Sequence, residues 1–153
     1  MNDLSLKTDF IQACQQQLES KVAALLAVMK DLSEAAALET KSTAGDKHET
    51  SRAMMQLEQE KTGRQLREAE QQLAEFLKTD FRKTFTIAAA GSLIRTDKGL
   101  FLIAASVGKI QATDGETAFA ISANSPLAKV LTGSKQKDTV LFNGVSYAIQ
   151  SVC

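Results

Sequence analysis

The chain has 153 residues with 18 basic and 18 acidic side chains, 44% hydrophobic and 5% aromatic residues, one proline and no tryptophan. This is an ordered composition whose core must be built mainly from Leu, Ile, Val and Ala. Through Lys83 there are 12 basic and 14 acidic residues, and after it 6 and 4, so neither part has the positive excess of a duplex-binding protein working through phosphate contacts. The two cysteines, Cys14 and Cys153, lie near opposite ends and form neither a disulfide framework nor a zinc spacing. The first thirty residues mix acids and glutamines with apolar positions, unlike a signal peptide, and no apolar run reaches membrane-spanning length. A soluble cytoplasmic protein with no membrane partner is the expectation.

Residues 8–40 predict the first helix, free of Gly and Pro. Ile11, Cys14, Leu18, Val22, Leu25, Met29, Leu32 and Ala36 recur in steps of three and four, which is one apolar stripe. Residues 47–78 predict a second helix with Met55, Thr62, Leu66, Ala69, Leu73 and Phe76 on one face. Gly63 weakens it by ~1 kcal/mol relative to alanine. The polar break at 41–46 is short, so the two helices are expected to be antiparallel neighbours in one monomer, about 45 Å long at ~1.5 Å per residue. A parallel homodimeric coiled coil is the other arrangement such stripes permit.

Past Lys83 the periodicity changes. β-type runs occupy residues 85–89, 92–95, 100–104, 109–113, 117–122, 139–142 and 145–152. Asp97-Lys98-Gly99, Asp114-Gly115 and Asn143-Gly144 read as turns, the last being the strongest hairpin signal. Ser125 suits an N-cap, Pro126 the first helical position and Gly133 a C-terminal cap, which brackets a short helix over 127–131. The expected fold class is therefore α+β: a helical hairpin over residues 1–80, then a small antiparallel sheet with one helix over residues 84–153.

No glycine-rich phosphate loop, zinc-type Cys/His set or nucleophile triad is visible, so an enzyme with its own complete site is not expected. The one constellation of chemical interest is Gly45-Asp46-Lys47-His48-Glu49. Asp46 as N-cap with Glu49 three residues on is a capping-box pattern, and both acids suit a helix N-terminus. The same two carboxylates could supply oxygen ligands to Mg²⁺, but only to complete a site on a partner. His48 is expected to be solvated. Arg52, Lys61, Arg64 and Arg67 read as a solvated face of the second helix, with an RNA- or protein-facing track as the other reading.

These parts, in this order, resemble the bacterial Gre transcript-cleavage factors over nearly the whole chain. Gly45-Asp46-x-x-Glu49 is similar to the family's acidic tip. Residues 121–133, Ile-Ser-Ala-Asn-Ser-Pro-Leu-Ala-Lys-Val-Leu-Thr-Gly, resemble the family's Ile-Ser-x-x-Ser-Pro segment and are the more specific of the two. The resemblance implies an FKBP-like C-terminal domain that docks on bacterial RNA polymerase, with Ser125, Pro126 and Leu127 in the docking segment. It implies a coiled coil inserted into the polymerase's secondary channel. Asp46 and Glu49 would then act catalytically there, by helping to hold a Mg²⁺ shared with the polymerase while the polymerase's own site cuts backtracked RNA. Nascent RNA or DNA would be met only within the transcription complex, and no cofactor would be bound stably. Thr50, Arg52 and Ala53 stand where the family has Asn, Glu and Tyr, which leaves open a regulator that binds without stimulating cleavage. A peptidyl-prolyl isomerase-like chaperone and a plain coiled-coil scaffold are the readings from other classes.

Overall fold

The structure is a computed structural model that describes residues 2–40 and 46–153, the side chains of 39, 40 and 46–48 excepted. Two long helices, α1 (Asp3–Thr40) and α2 (Asp46–Lys78), form a helical hairpin and precede six strands and a short helix. Helix α1 begins five residues before the expected start. Asn2 is the reason: its Oδ1 accepts the Ser5 amide at 2.8 Å and its carbonyl the Leu6 amide at 2.9 Å. A capping side chain satisfies a first-turn amide that otherwise has no partner.

The chain divides into two compact units, Met1–Gln17 with Gln72–Cys153, and Leu18–Gln71. In the second, each apolar stripe faces inward as the periodicity requires. Leu18, Thr62 and Ala69 are buried, and Val22, Leu25, Met29, Leu32, Met55 and Leu66 are half-buried. Lys21, Ala24 and Leu25 of α1 line one shallow cleft with Gln65 and Glu68 of α2, an antiparallel pairing of the two helices. Within this unit the seam has only two helices to cover it, so most seam positions stay partly open. Arg52, Lys61, Arg64 and Arg67 are all exposed, as expected of a solvated face.

The first unit is built on a six-stranded sheet in the order β3-β4-β2-β1-β6-β5. Its strands are β1 (Leu93–Thr96), β2 (Gly99–Ala104), β3 (Gly108–Gln111), β4 (Thr117–Ser122), β5 (Thr139–Phe142) and β6 (Val145–Val152). The turns fall where the sequence puts them. Asp97 and Lys98 separate the paired Thr96 and Gly99, and Asn143 and Gly144 both take positive φ, 51° and 76°. Two consecutive residues of that kind match the twist of flanking strands.

Two expectations are corrected. The sheet is mixed: β2 runs parallel to β4, Leu100 opposite Ala118 through Ala104 opposite Ser122. Residues 105–107 carry the chain past one strand position to the edge strand β3, and the hairpin at Asp114-Gly115 returns β4 between β3 and β2. Residues 85–89 are not a strand; they contribute one isolated bridge, Ile87 with Lys135. The chain turns instead, with the Ser92 hydroxyl donating to the Ala89 carbonyl at 2.7 Å and Gly91 at φ 95°.

One face of the sheet carries the core cluster of Ile94, Phe101, Ile103 and Ile149 with Ala128 and Leu131 of the short helix α3 (Pro126–Leu131). Leu93 and Leu102 alternate with these residues, so their side chains belong to the opposite face, and both are buried. The root of α1 is tied to the sheet unit by polar bonds. Asp3 accepts from Arg95 at 2.9 Å and from the Ser151 hydroxyl at 2.8 Å, and Asp9 accepts from the Thr113 amide at 3.0 Å. Leu6, Phe10 and Cys14, in the same turns of α1, are fully buried.

Candidate functional site

Asp46 is the first residue of α2, and Glu49 follows within its first turn. Residues three apart in a helix share a face. Glu49 is exposed. The side chains of Asp46 and His48, and with them the capping-box and metal-pair readings of the tip, lie outside the described residues. Among the described residues no group of three or more His, Cys, Asp or Glu side chains is arranged to hold a metal ion.

The segment around Ser125 is described in full. Ser125 has φ −68° and ψ 150°, and its hydroxyl accepts the Ala128 amide at 3.2 Å while its carbonyl accepts the Lys129 amide at 3.0 Å. It is the N-cap of α3, with Pro126 following where a missing amide hydrogen has no consequence. At the far end the Gly133 amide donates to the Ala88 carbonyl at 2.8 Å, with φ 90° at Gly133. The three residues of the expected docking segment thus have different tasks. Ser125 uses its hydroxyl within the fold, Leu127 packs half-buried against the core cluster, and Pro126 is exposed. Val130, one turn on in the same helix, is 37% exposed.

The sequence reading missed a second feature, at the junction of α1 and residues 81–84. Lys7 is only 3% exposed. Its ammonium donates to the Lys83 carbonyl at 3.2 Å and lies 5.0 Å from the centre of the Phe85 ring, with the Lys83 ammonium 5.3 Å from the same centre. Burial lowers the Lys7 pKa from its ordinary value, with Cys153 and Asp80 acting in the opposite direction. The available signal was positional: Lys7 continues the stripe of Ile11, Cys14 and Leu18 in steps of four, three and four, so a charge stands on an apolar face.

No protein-family model matches the chain, and no curated protein matches it. The fold and these two regions define an α+β protein in which a helical hairpin precedes a mixed sheet. Among the described residues no helix is long and apolar enough to cross a membrane.

Proposed function

We propose that this chain is a Gre-like elongation factor that binds bacterial RNA polymerase and stimulates cleavage of backtracked RNA by the polymerase's own active site. The observation that carries the reading is the segment at 121–133, whose resemblance to the Gre docking segment coincides with a capped helix. The Ser125 hydroxyl and Pro126 start α3 there, and Ala128 and Leu131 anchor it in the core. The order of parts also supports it, since a hairpin of 38- and 33-residue helices precedes the sheet.

On this reading the sheet unit docks through the exposed Pro126 and Val130 of α3. The hairpin presents Asp46 and Glu49, two carboxylates within one helical turn, as a pair of oxygen donors. That number suits Mg²⁺, which takes one or two protein carboxylates and fills its remaining positions with water and substrate oxygens. A second Mg²⁺ in the polymerase site would stabilise the attacking and leaving oxygens of phosphodiester hydrolysis. The chain's own contribution is to deliver and orient the carboxylates, so it is a stimulating factor and has no complete site of its own.

The test is a cleavage assay on a stalled, backtracked elongation complex. The double variant Asp46→Asn with Glu49→Gln keeps side-chain shape and loses both charges. Loss of stimulated cleavage with polymerase binding retained is the expected result, whereas robust cleavage by the double variant overturns the catalytic role. A second reading is favoured by Thr50, Arg52 and Ala53 after the tip: a regulator that occupies the channel without stimulating cleavage. Polymerase binding by the unaltered protein without cleavage selects it.

A further inference from the structure

The buried ammonium of Lys7 is only partly compensated within the protein, by the Phe85 ring 5.0 Å away and by the more distant Cys153 and Asp80. An ammonium has three donors, and a buried charge is costly unless paired. Lys7 donates one hydrogen bond, to a carbonyl, and among the described residues it forms no ion pair. The cleft encloses about 510 Å³, within the range of small-ligand sites. Its walls are the face of α1 bearing Leu4, Lys7 and Ile11 and the irregular segment of Phe81, Arg82 and Lys83; the other lining side chains are neutral, so three cations and no carboxylate face the space. Asp80 is outside the lining and is engaged by Arg82, whose amide it accepts at 3.0 Å and whose Nε lies 3.6 Å from its carboxylate.

A site with a buried cation at its wall, two further cations at its rim and apolar surface between them lacks one thing, an anion carried on an apolar body. We propose that this cleft binds a small organic carboxylate with a hydrocarbon or aromatic body. The carboxylate sits against Lys7 and Lys83, and the body covers Leu4, Ile11 and Phe81. Desolvation strengthens a charge-assisted hydrogen bond to Lys7, while Leu4, which is 52% exposed, gives apolar contact that water now occupies. The inference stands on this cleft alone and does not depend on the transcription reading.

Decanoate is the probe, titrated calorimetrically into the full chain, with decanamide as its uncharged counterpart. Decanoate is expected to bind saturably at one site, about tenfold more tightly than decanamide, since a hydrogen bond between charged groups is worth about that factor. Lys7→Met keeps the buried stem and removes the ammonium, and is expected to weaken decanoate about tenfold with decanamide unchanged. Lys83→Gln, at an exposed residue, is the second variant should Lys7→Met fail to fold, and is expected to weaken decanoate several-fold. Amide shifts on titration are expected at residues 4–12 and 81–84. The proposal is overturned by absence of saturation at millimolar decanoate, by equal binding of decanamide, or by shifts confined to other parts of the chain.

Discussion

Replacing Gly91 by alanine tests the account of how residues 79–92 are packed. Gly91 has φ 95°, and its amide donates to the Ile103 carbonyl at 2.7 Å, which fixes it against β2. A Cβ there would stand 2.8 Å from the Asp80 carbonyl oxygen, a backbone atom that cannot rotate away. Positive φ in a residue with a Cβ costs about 1–2 kcal/mol, and forcing a packed backbone to shift costs about 1–3 kcal/mol. Reduced freedom of the unfolded chain returns about 0.4–1 kcal/mol. The net is a destabilisation of about 3 kcal/mol, or roughly 9 °C of Tm with an unfolding entropy of about 2.1 cal/mol/K per residue. Gly63→Ala is the matched control. Gly63 lies within α2, and its added Cβ would meet only the far end of the Arg67 side chain at 3.5 Å. It is expected to stabilise by ~1 kcal/mol through helix propensity. Scanning calorimetry on the three proteins decides the matter. A Gly91→Ala transition within a degree of the parent, or a destabilised Gly63→Ala, refutes this reasoning.

Acid stability should depend on Asp3. The Arg95 hydrogen bond holds its carboxyl below the ordinary 3.8, with Ser151 adding to the effect against partial burial. Because the folded pKa is depressed, the stability it contributes is present above the ordinary value and is lost as pH falls through the folded one. Asp3→Asn is therefore expected to lower stability at neutral pH and to flatten the acid limb of a denaturation-versus-pH curve; an unchanged acid limb would refute the coupling. Both thiols should be unreactive in the folded protein. Burial pushes the Cys14 thiol up to about 11 and raises Cys153 as well, and the thiolate is the reactive form. Ellman's reagent at pH 8 is expected to titrate both cysteines in denaturant and neither promptly in the native state; fast native labelling of Cys14 would contradict its burial.

What could be read directly from the residues was whatever local chemistry decides. Helix α1 and helix α2 follow from apolar steps of three and four, and the burial of Cys14, Leu18, Thr62, Ala69 and Phe76 matches that period. Strands β4, β5 and β6 carry the bounds expected of them, because Asp114-Gly115 and Asn143-Gly144 set turn geometry within a few bonds. Ser125 and Pro126 begin α3 for an equally local reason, a side-chain acceptor followed by a residue with no amide to satisfy. The tertiary structure decided everything that depends on which distant residues meet. Alternation along β2 and β4 is the same whether they pair parallel or antiparallel, so only the passage through β3 makes them parallel. Residues 85–89 have strand-like composition, yet they find a partner only around the bridge of Ile87 with Lys135 before the chain turns at Ala89–Ser92. The burial of Lys7 is likewise a long-range fact. Periodicity put a charge on an apolar face, but only the return of residues 81–85, more than seventy positions later, brought the Lys83 carbonyl and the Phe85 ring to its ammonium.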